Sequence, residues 1–270
     1  MSEQPTSEAD LDDWDVHWDS FGEAAKGNPA NHYRQTLILK LLGSLPETAH
    51  VLDIGSGQGE LAFAIKRQNP LVQVRGLEYS AEGVRRSVAT AAGSDLDVEF
   101  RQSDLLRPIR PPADQQAWAS HAICSEVLEH LDQPRLLLEN VTAYLRPGCR
   151  LIVTVPGGPR SAFDRHIGHR QHFSETRLRT LLEAAGFDVR RVLKAGFPFF
   201  DLYKLGIVAR GERLIRDARP RSAEQTSAVS MTAVLKVFDV LFRANLPSTP
   251  WGWQLVAEAT PRLRAKESRR

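Results

Sequence analysis

The 270-residue chain carries 35 Lys and Arg against 33 Asp and Glu, a net charge of +2, so no global field draws it to nucleic acid. Its length allows one substantial core with room for additions to a compact α/β unit, and no apolar stretch is long enough to cross a bilayer. With no basic-then-apolar leader and only Cys124 and Cys149, both beside predicted strands and read as reduced core thiols, the expectation is a soluble cytoplasmic protein.

Residues 1–13 are polar and acidic, a predicted disordered tail. Trp14, Trp18 and Phe21 then recur at helical spacing, and Asn31 to Leu42 is predicted as a helix with Asn31 as its cap and Gly43 as its stop. Together residues 14–46 form an N-terminal helical unit whose aromatics pack onto whatever follows. From His50 to Val192 strands and helices alternate, which implies a mostly parallel sheet. Val51 to Ile54 is an apolar strand running into Gly55-Ser56-Gly57-Gln58-Gly59, and Leu61 to Gln68 begins the first connecting helix. Val72 to Glu78 alternates and then turns apolar like a second strand, followed by a helix over Ala81–Ala92. Val98 to Leu105 covers a third strand and its exit, and Ala119 to Ser125 a fourth. Asp132-Gln133-Pro134 opens a helix predicted to reach Leu145, with Arg146-Pro147-Gly148 ending it. A fifth strand is predicted over Arg150–Val155, a helix capped by Ser174 over Glu175–Ala185, and a sixth strand over Phe187–Val192.

Residues 196–249 interrupt this alternation. They contain Phe197-Pro198-Phe199-Phe200-Asp201-Leu202-Tyr203, a basic helical stretch from Lys204 to Arg221 and a second helix over Met231–Arg243, with a Ser- and Ala-rich spacer between. Arg210, Arg213 and Arg216 share one helix face, most simply a solvated one. Trp253 to Ala259 suits a last strand, and residues 262–270 form a basic tail.

The glycine turn is the most informative segment. Its glycines permit positive φ and close approach of backbone N–H groups to a ligand, and the helix that follows adds unpaired donors. A nicotinamide-dinucleotide site needs Gly or Ala at the third position of the fingerprint, where the chain has Glu60. Two acids at the turn, Asp53 and Glu60, suit a ligand carrying ammonium or sulfonium charge better than a diphosphate. Asp53 to Gly59 resembles the first motif of the class I S-adenosylmethionine-dependent methyltransferases. Later elements resemble that family in order: Glu78 ends the second strand, Asp104 the third, and Glu126-Val127-Leu128-Glu129-His130-Leu131 resembles the segment after the fourth strand in the ubiquinone-biosynthesis-like, bacterial small-molecule branch.

The resemblance implies a Rossmann-like α/β fold with a seven-stranded, mostly parallel sheet and an antiparallel last strand. It implies a core over 47–195 completed by 250–261, an N-terminal lid over 14–46, and a helical insertion over 196–249 acting as substrate cap or as a homodimer interface. The implied cofactor is S-adenosyl-L-methionine. Glu78 would hold the ribose hydroxyls, since a carboxylate accepts two hydrogen bonds at once, and Asp104 the adenine amino group. Asp53, Gly55, Ser56, Gly57, Tyr79, Leu105 and Ser125 complete the expected cofactor set, with Tyr33 reaching down from the lid.

Methyl transfer from a sulfonium is an in-line displacement in which the protein orients reactants and excludes water. An oxygen or nitrogen acceptor also benefits from a base. His166, His169 and His172 follow strand five at the edge where acceptors bind, and His169 and His172, with Glu126, are the candidates for base or acceptor orientation. No cysteine or carboxylate cluster completes a metal site around these histidines in the sequence, so no metal is expected. His130 reads as a packed, hydrogen-bonded histidine. The implied function is methylation of a small-molecule acceptor at O, N or C in natural-product or other secondary metabolism, with no nucleic-acid partner. The alternatives are a macromolecular acceptor (protein, RNA or lipid-linked glycan) and a non-catalytic cofactor-binding partner.

Overall fold

A computed structural model describes residues 14–15, 28–108, 110–217 and 228–262, and the side chains of 212–234 fall outside that description. The predicted N-terminal tail, the basic tail beyond Arg262, Trp18, Phe21, and the side chains of Arg213 and Arg216 therefore lie outside the described residues. Seven strands, β1 (His50–Ile54), β2 (Gln73–Glu78), β3 (Glu99–Gln102), β4 (Ala119–Ser125), β5 (Leu145–Pro156), β6 (Phe187–Ala195) and β7 (Gln254–Pro261), form one sheet in the order β3-β2-β1-β4-β5-β7-β6. β1 pairs in parallel with β2 and β4, and β7 runs antiparallel to both β5 and β6. The chain reverses its direction of travel across the sheet between β1 and β4, so a crevice opens at the carboxyl ends of those strands.

The strands are near-continuous apolar runs because helices cover both faces. Successive side chains point to opposite sides. Leu151, Val153 and Val155 join Leu52 and Ile54 in one core, while Ile152 joins Val51, Val74, Ile123 and Val256 in the other. The first core is closed by α4 (Pro134–Val141) and α6 (Glu175–Ala184), through Leu137, Leu138, Leu178 and Leu182. The second is closed by α1 (Pro29–Leu42) and α2 (Glu60–Gln68), through Leu37, Ile38, Ala62 and Ile65. Deleting most of one such buried side chain costs about 2–5 kcal/mol. The remaining connecting helix, α3 (Ala81–Ala92), is capped by Ser80, whose hydroxyl accepts from the Gly83 N–H at 2.9 Å.

Several boundaries differ from the sequence reading, each for a local reason. α1 starts earlier: Asn28, not Asn31, is its cap, accepting from the Ala30 N–H, and Pro29 occupies the first helical position where its missing N–H costs nothing. α4 stops at Val141 and passes through a 3₁₀ turn, Thr142–Tyr144, directly into β5. Pro147 and Gly148 lie inside β5 rather than before it. The register with β4 jumps there from Ala119↔Leu145 to His121↔Arg150, an irregularity that accommodates a proline lacking a donor. β6 and β7 run longer than expected because they pair with each other from Phe187↔Pro261 to Ala195↔Gln254.

The segment between β6 and β7 is helical, α7 (Phe199–Asp217) and α8 (Ala228–Leu241). Phe200 and Phe242 pack with Ala30, Tyr33, Tyr203 and Phe238 into a small aromatic core between this pair and α1. α7 also lies against α5 (Ala162–His166): a Cβ on Gly211 would stand 3.4 Å from that of Ala162.

Candidate active site

The glycine turn after β1 adopts the conformation its sequence requires. Gly55, Gly57 and Gly59 have φ of 70°, 55° and 83°, where only glycine sits without strain. Gly59 is also pinned by packing, since a Cβ there would lie 2.5 Å from Phe100 Cζ. The Gly55 and Ser56 N–H groups both donate to the Leu77 carbonyl, at 2.8 and 3.0 Å, which folds the turn back on β2. Glu78, at the end of β2, takes the Gly57 N–H on one carboxylate oxygen (2.7 Å) and the Ser80 N–H on the other (2.9 Å). Each oxygen keeps a lone pair for a further donor.

This turn forms the floor of a cavity of about 870 Å³ at the carboxyl ends of β1, β2 and β4. Asp53, Gly55, Ser56, Gly57 and Glu78 line it. Tyr79, Asp104, Leu105, Ser125 and Glu126 line it as well. Asp104 accepts from the Leu106 N–H at 3.0 Å and pairs with Arg107, while Tyr79 is half-exposed at the rim. The expectation for Tyr33 does not hold in this geometry. Its ring turns away from the cavity to pack on Phe200 and Phe242, with centroids 5.3 and 5.6 Å away, because the aromatic core under the inserted helices claims it. Burial there raises its hydroxyl pKa, and the charge of Asp201 adds to the effect.

What α1 does present to the cavity is a stripe at helical spacing, polar at Asn31, Arg34 and Gln35 and closed below by apolar Ile38. Arg34 is mostly buried, donates to Asn31 Oδ1 and lies 3.5 Å from Glu126 Oε2. Glu126 is held in turn by Thr154 Oγ1 (3.1 Å) and Gln254 Nε2 (2.9 Å), and its backbone is left-handed, φ 56°. A left-handed glutamate costs about 1 kcal/mol or more and persists only where the surroundings fix it. The sequence offered a signal for Arg34 in the 31, 34, 35, 38 spacing. It offered none for Gln254, which arrives from β7 across the sheet.

Buried polar atoms without partners gather at the floor: Asp53 Oδ2, Ser56 Oγ and Gln58 Nε2. Asp53 is pushed up to about 7 by burial and by the neighbouring charge of Glu78. Burial likewise raises Glu78, against the lowering effect of the N–H groups it accepts from. A cavity floor with two close acids and unsatisfied donors and acceptors fits a polar, cationic ligand better than water alone.

The histidines are arranged differently from the sequence reading. His130 lines the cavity, with Trp14 edge-on at 4.8 Å. His169 and His172 stand behind it and are not among the lining residues. His169 meets His130 edge-on at 4.7 Å and places its Nδ1 3.2 Å from His172 Nε2. Burial, then the charge of His130, lowers His169 to about 2, so its ring is neutral throughout the working range. His172 is lowered too, chiefly by burial. Neither reaches the cavity, because the 3₁₀ turn Leu128–His130 stands in front of them. Around them the fold brings together carboxylates that the linear sequence keeps apart: Glu129 beside His130 and His169, and Asp164 beside His169 and His172. Among the described residues no helix is long and apolar enough to cross a membrane.

Residues 30–192 match the methyltransferase domain family. The chain is 27% identical over 207 residues to the ubiquinone biosynthesis O-methyltransferase of Aeromonas salmonicida, covering 70% of this chain and 84% of that protein. It is 30% identical over 147 residues to the Xylella fastidiosa (strain M23) protein of the same name, covering 54% of this chain but only 56% of that relative. Among solved structures, a chain of the complex between the Haloferax volcanii Trm112 methyltransferase activator and a putative methyltransferase superposes with a TM-score of 0.61. It shares 18% identity and covers 93% of this chain and 98% of its own, a likeness of fold.

Proposed function

Because the chain belongs to the methyltransferase domain family, we propose that it transfers a methyl group from S-adenosylmethionine to a small-molecule acceptor bound in the cavity beside α1. The observation that carries this reading is the cavity floor, where Asp53 and Glu78 stand beside a positive-φ glycine turn. The donor supplies a methyl group on a positively charged sulfur that is already a good leaving group. The work left to the protein is positioning and water exclusion.

Each lining residue has a task that its geometry suits. Glu78, fixed by the Gly57 and Ser80 N–H groups, offers its remaining lone pairs to the ribose hydroxyls. Asp104 accepts from the adenine amino group, with Leu105 and Tyr79 on either side of the base. The orphaned oxygen of Asp53, with Ser56 and the glycine amides, serves the amino-acid end of the donor. Arg34 is a mostly buried cation facing the same space and suits the donor's carboxylate, which needs a charge-assisted partner. Ser125 and Glu126 follow β4 and face the acceptor side. Glu126, strained and held by three partners, orients the acceptor. His169 and His172 act only through His130.

A small acceptor is supported by the enclosed volume and by the relatives named for ubiquinone biosynthesis. Exposed Leu202, Leu205, Val237 and Val240 support self-association through the inserted helices, which light scattering after gel filtration reads directly. Calorimetry with S-adenosylhomocysteine tests the central assignment. The intact protein should bind it, and Asp53→Ala and Glu78→Ala should each weaken binding at least tenfold. A folded wild-type protein that does not bind would overturn the reading.

A further inference from the structure

A second cavity, of about 800 Å³, opens between the carboxyl ends of β5 and β6, the start of β7 and the first turns of α7. It shares no lining residue with the cavity at the glycine turn. Its walls are largely aromatic: Phe173, Phe197, Phe199, Trp251 and Trp253. Trp251 is 62% exposed, its ring centroid lies 5.2 Å from that of Phe197, and the two planes are 53° apart. Exposed rings gathered on one concave surface mark a binding site. Asp201 lines the same groove, although only 7% of it is exposed. Its Oδ1 accepts from the Trp253 N–H at 3.0 Å, and among the described residues no donor is placed on Oδ2. We propose that this groove is a second ligand site that takes a small organic cation of the alkylated ammonium kind, its charge held by the rings and by Asp201.

The polarity of the groove decides the sign of the ligand. A cation is attracted to the face of an aromatic ring within about 6 Å of its centroid, and most strongly to tryptophan. The donors that would favour an anion are already engaged. At the start of α7 the Phe199 and Phe200 N–H groups donate to Asn245 Oδ1, at 2.9 and 3.2 Å. The Asp201 and Leu202 N–H groups donate to the Gly196 and Pro198 carbonyls. The Lys194 ammonium, the cation on the lining, donates to the Pro250 carbonyl. What remains is acid. Burial raises Asp201 to about 6, against the lowering effects of the Trp253 N–H and of Lys194. A half-buried carboxylate of that kind gains most from a cation placed beside it. Glu175, exposed at the start of α6, adds a second negative charge to the lining.

The walls are held by the chain itself. Thr249 Oγ1 accepts the N–H groups of Trp251 (3.2 Å) and Gly252 (3.0 Å), and the Thr249 N–H donates to the Lys194 carbonyl (2.8 Å). This turn sets Trp251 beside Phe197. Gly252 passes so close to β6 that a Cβ there would lie 2.4 Å from the Ala195 carbonyl oxygen. Trp253 is packed on Gly158, where a Cβ would lie 2.7 Å from its Cδ2, and its carbonyl accepts the Gly157 N–H at 2.7 Å. A groove built in advance loses little to ordering when a ligand enters. Because the two cavities share no wall, the ligand here is neither the methyl donor nor the reacting acceptor but a separate small molecule.

Choline is the probe, titrated into the full-length protein and followed by calorimetry, beside 3,3-dimethylbutan-1-ol, which has the same shape without the charge. Choline should bind at least tenfold more tightly than the alcohol. Asp201→Asn should weaken choline binding at least tenfold and Trp251→Leu at least fivefold. Trp251→Phe, which keeps a ring, should stay within about threefold of wild type. Affinity should rise between about pH 5 and about pH 7 as Asp201 ionises. The other titratable groups around it are Lys194 and Glu175 on the groove and Tyr33 on α1. Circular dichroism of each variant should match wild type, and exposed Trp251 can be changed without touching the core, so loss of binding is not loss of fold. Equal binding of choline and the alcohol, binding of neither, or choline affinity unchanged in Asp201→Asn would overturn the proposal. A wild type that ignores choline but self-associates, and loses that association in Trp251→Leu, would make the groove a contact between copies instead.

Discussion

Asp53 illustrates how a single residue serves binding at the expense of the empty fold. Burial and the charge of Glu78 raise it to about 7, so across the interval from the ordinary carboxylate range to about 7 the folded protein holds a proton that the unfolded chain has released. Stability from this group is fully present at low pH and is lost as pH rises through that interval. Asp53→Asn removes the titration and keeps the shape. Its stability margin over wild type should widen by roughly 3–5 kcal/mol between about pH 4 and about pH 7, and level off above. Denaturant melts at a series of pH values read this directly, and a flat margin would mean that Asp53 ionises freely in its site. The residue's identity was legible in the sequence, because an acid two places before a glycine turn is conspicuous. Its neighbour Glu78 is 25 residues on, and only the parallel pairing of β1 with β2 brings the two charges together.

At the scale of elements, the core helices and all seven strands were readable from periodicity, caps and turn residues. The misplaced ends were those that pairing decides. Pro147-Gly148 looks like punctuation, but β4 recruits it into a strand at an irregular register. The lid helix α1 shows the same limit. The sequence pointed to Tyr33, the most conspicuous side chain on it, whereas the aromatic core contributed by α7 and Phe242 fixes the helix's rotation and turns Arg34 inward. Arg34→Ala should therefore weaken S-adenosylhomocysteine binding by about 1.5–3 kcal/mol, the scale of a hydrogen bond to a charged group. Tyr33→Phe should leave it within twofold. Calorimetry on both variants checks this, and the opposite ranking would return Tyr33 to the site.

For the whole molecule, the cavity lies where the sheet's strand order reverses and is roofed by parts of the chain far apart in sequence. A ligand that binds only the folded state stabilises it by about 2.7 kcal/mol at a hundred times its dissociation constant. For a chain of this size that is a rise in melting temperature on the order of 5–10 °C. Thermal scans with S-adenosylhomocysteine should show a shift of that order in wild type and little in Glu78→Ala. An equal shift in both would place the ligand elsewhere.

The sequence by itself determined the alternation of strands and helices, the glycine turn and the acids at the ends of the first three strands. All of these are local: each depends on a residue's neighbours along the chain, on side-chain period and on which φ a glycine allows. What only the tertiary structure decided is who meets across the cavity. Arg34 reaches Glu126 from a lid helix, and Gln254 reaches it from the last strand. The turn after β4 is likewise joined to the histidine loop after β5, since the Glu129 carbonyl accepts the N–H groups of both Arg170 and Gln171. Those residues lie some 40 positions apart in the chain, and no local signal announces that they meet.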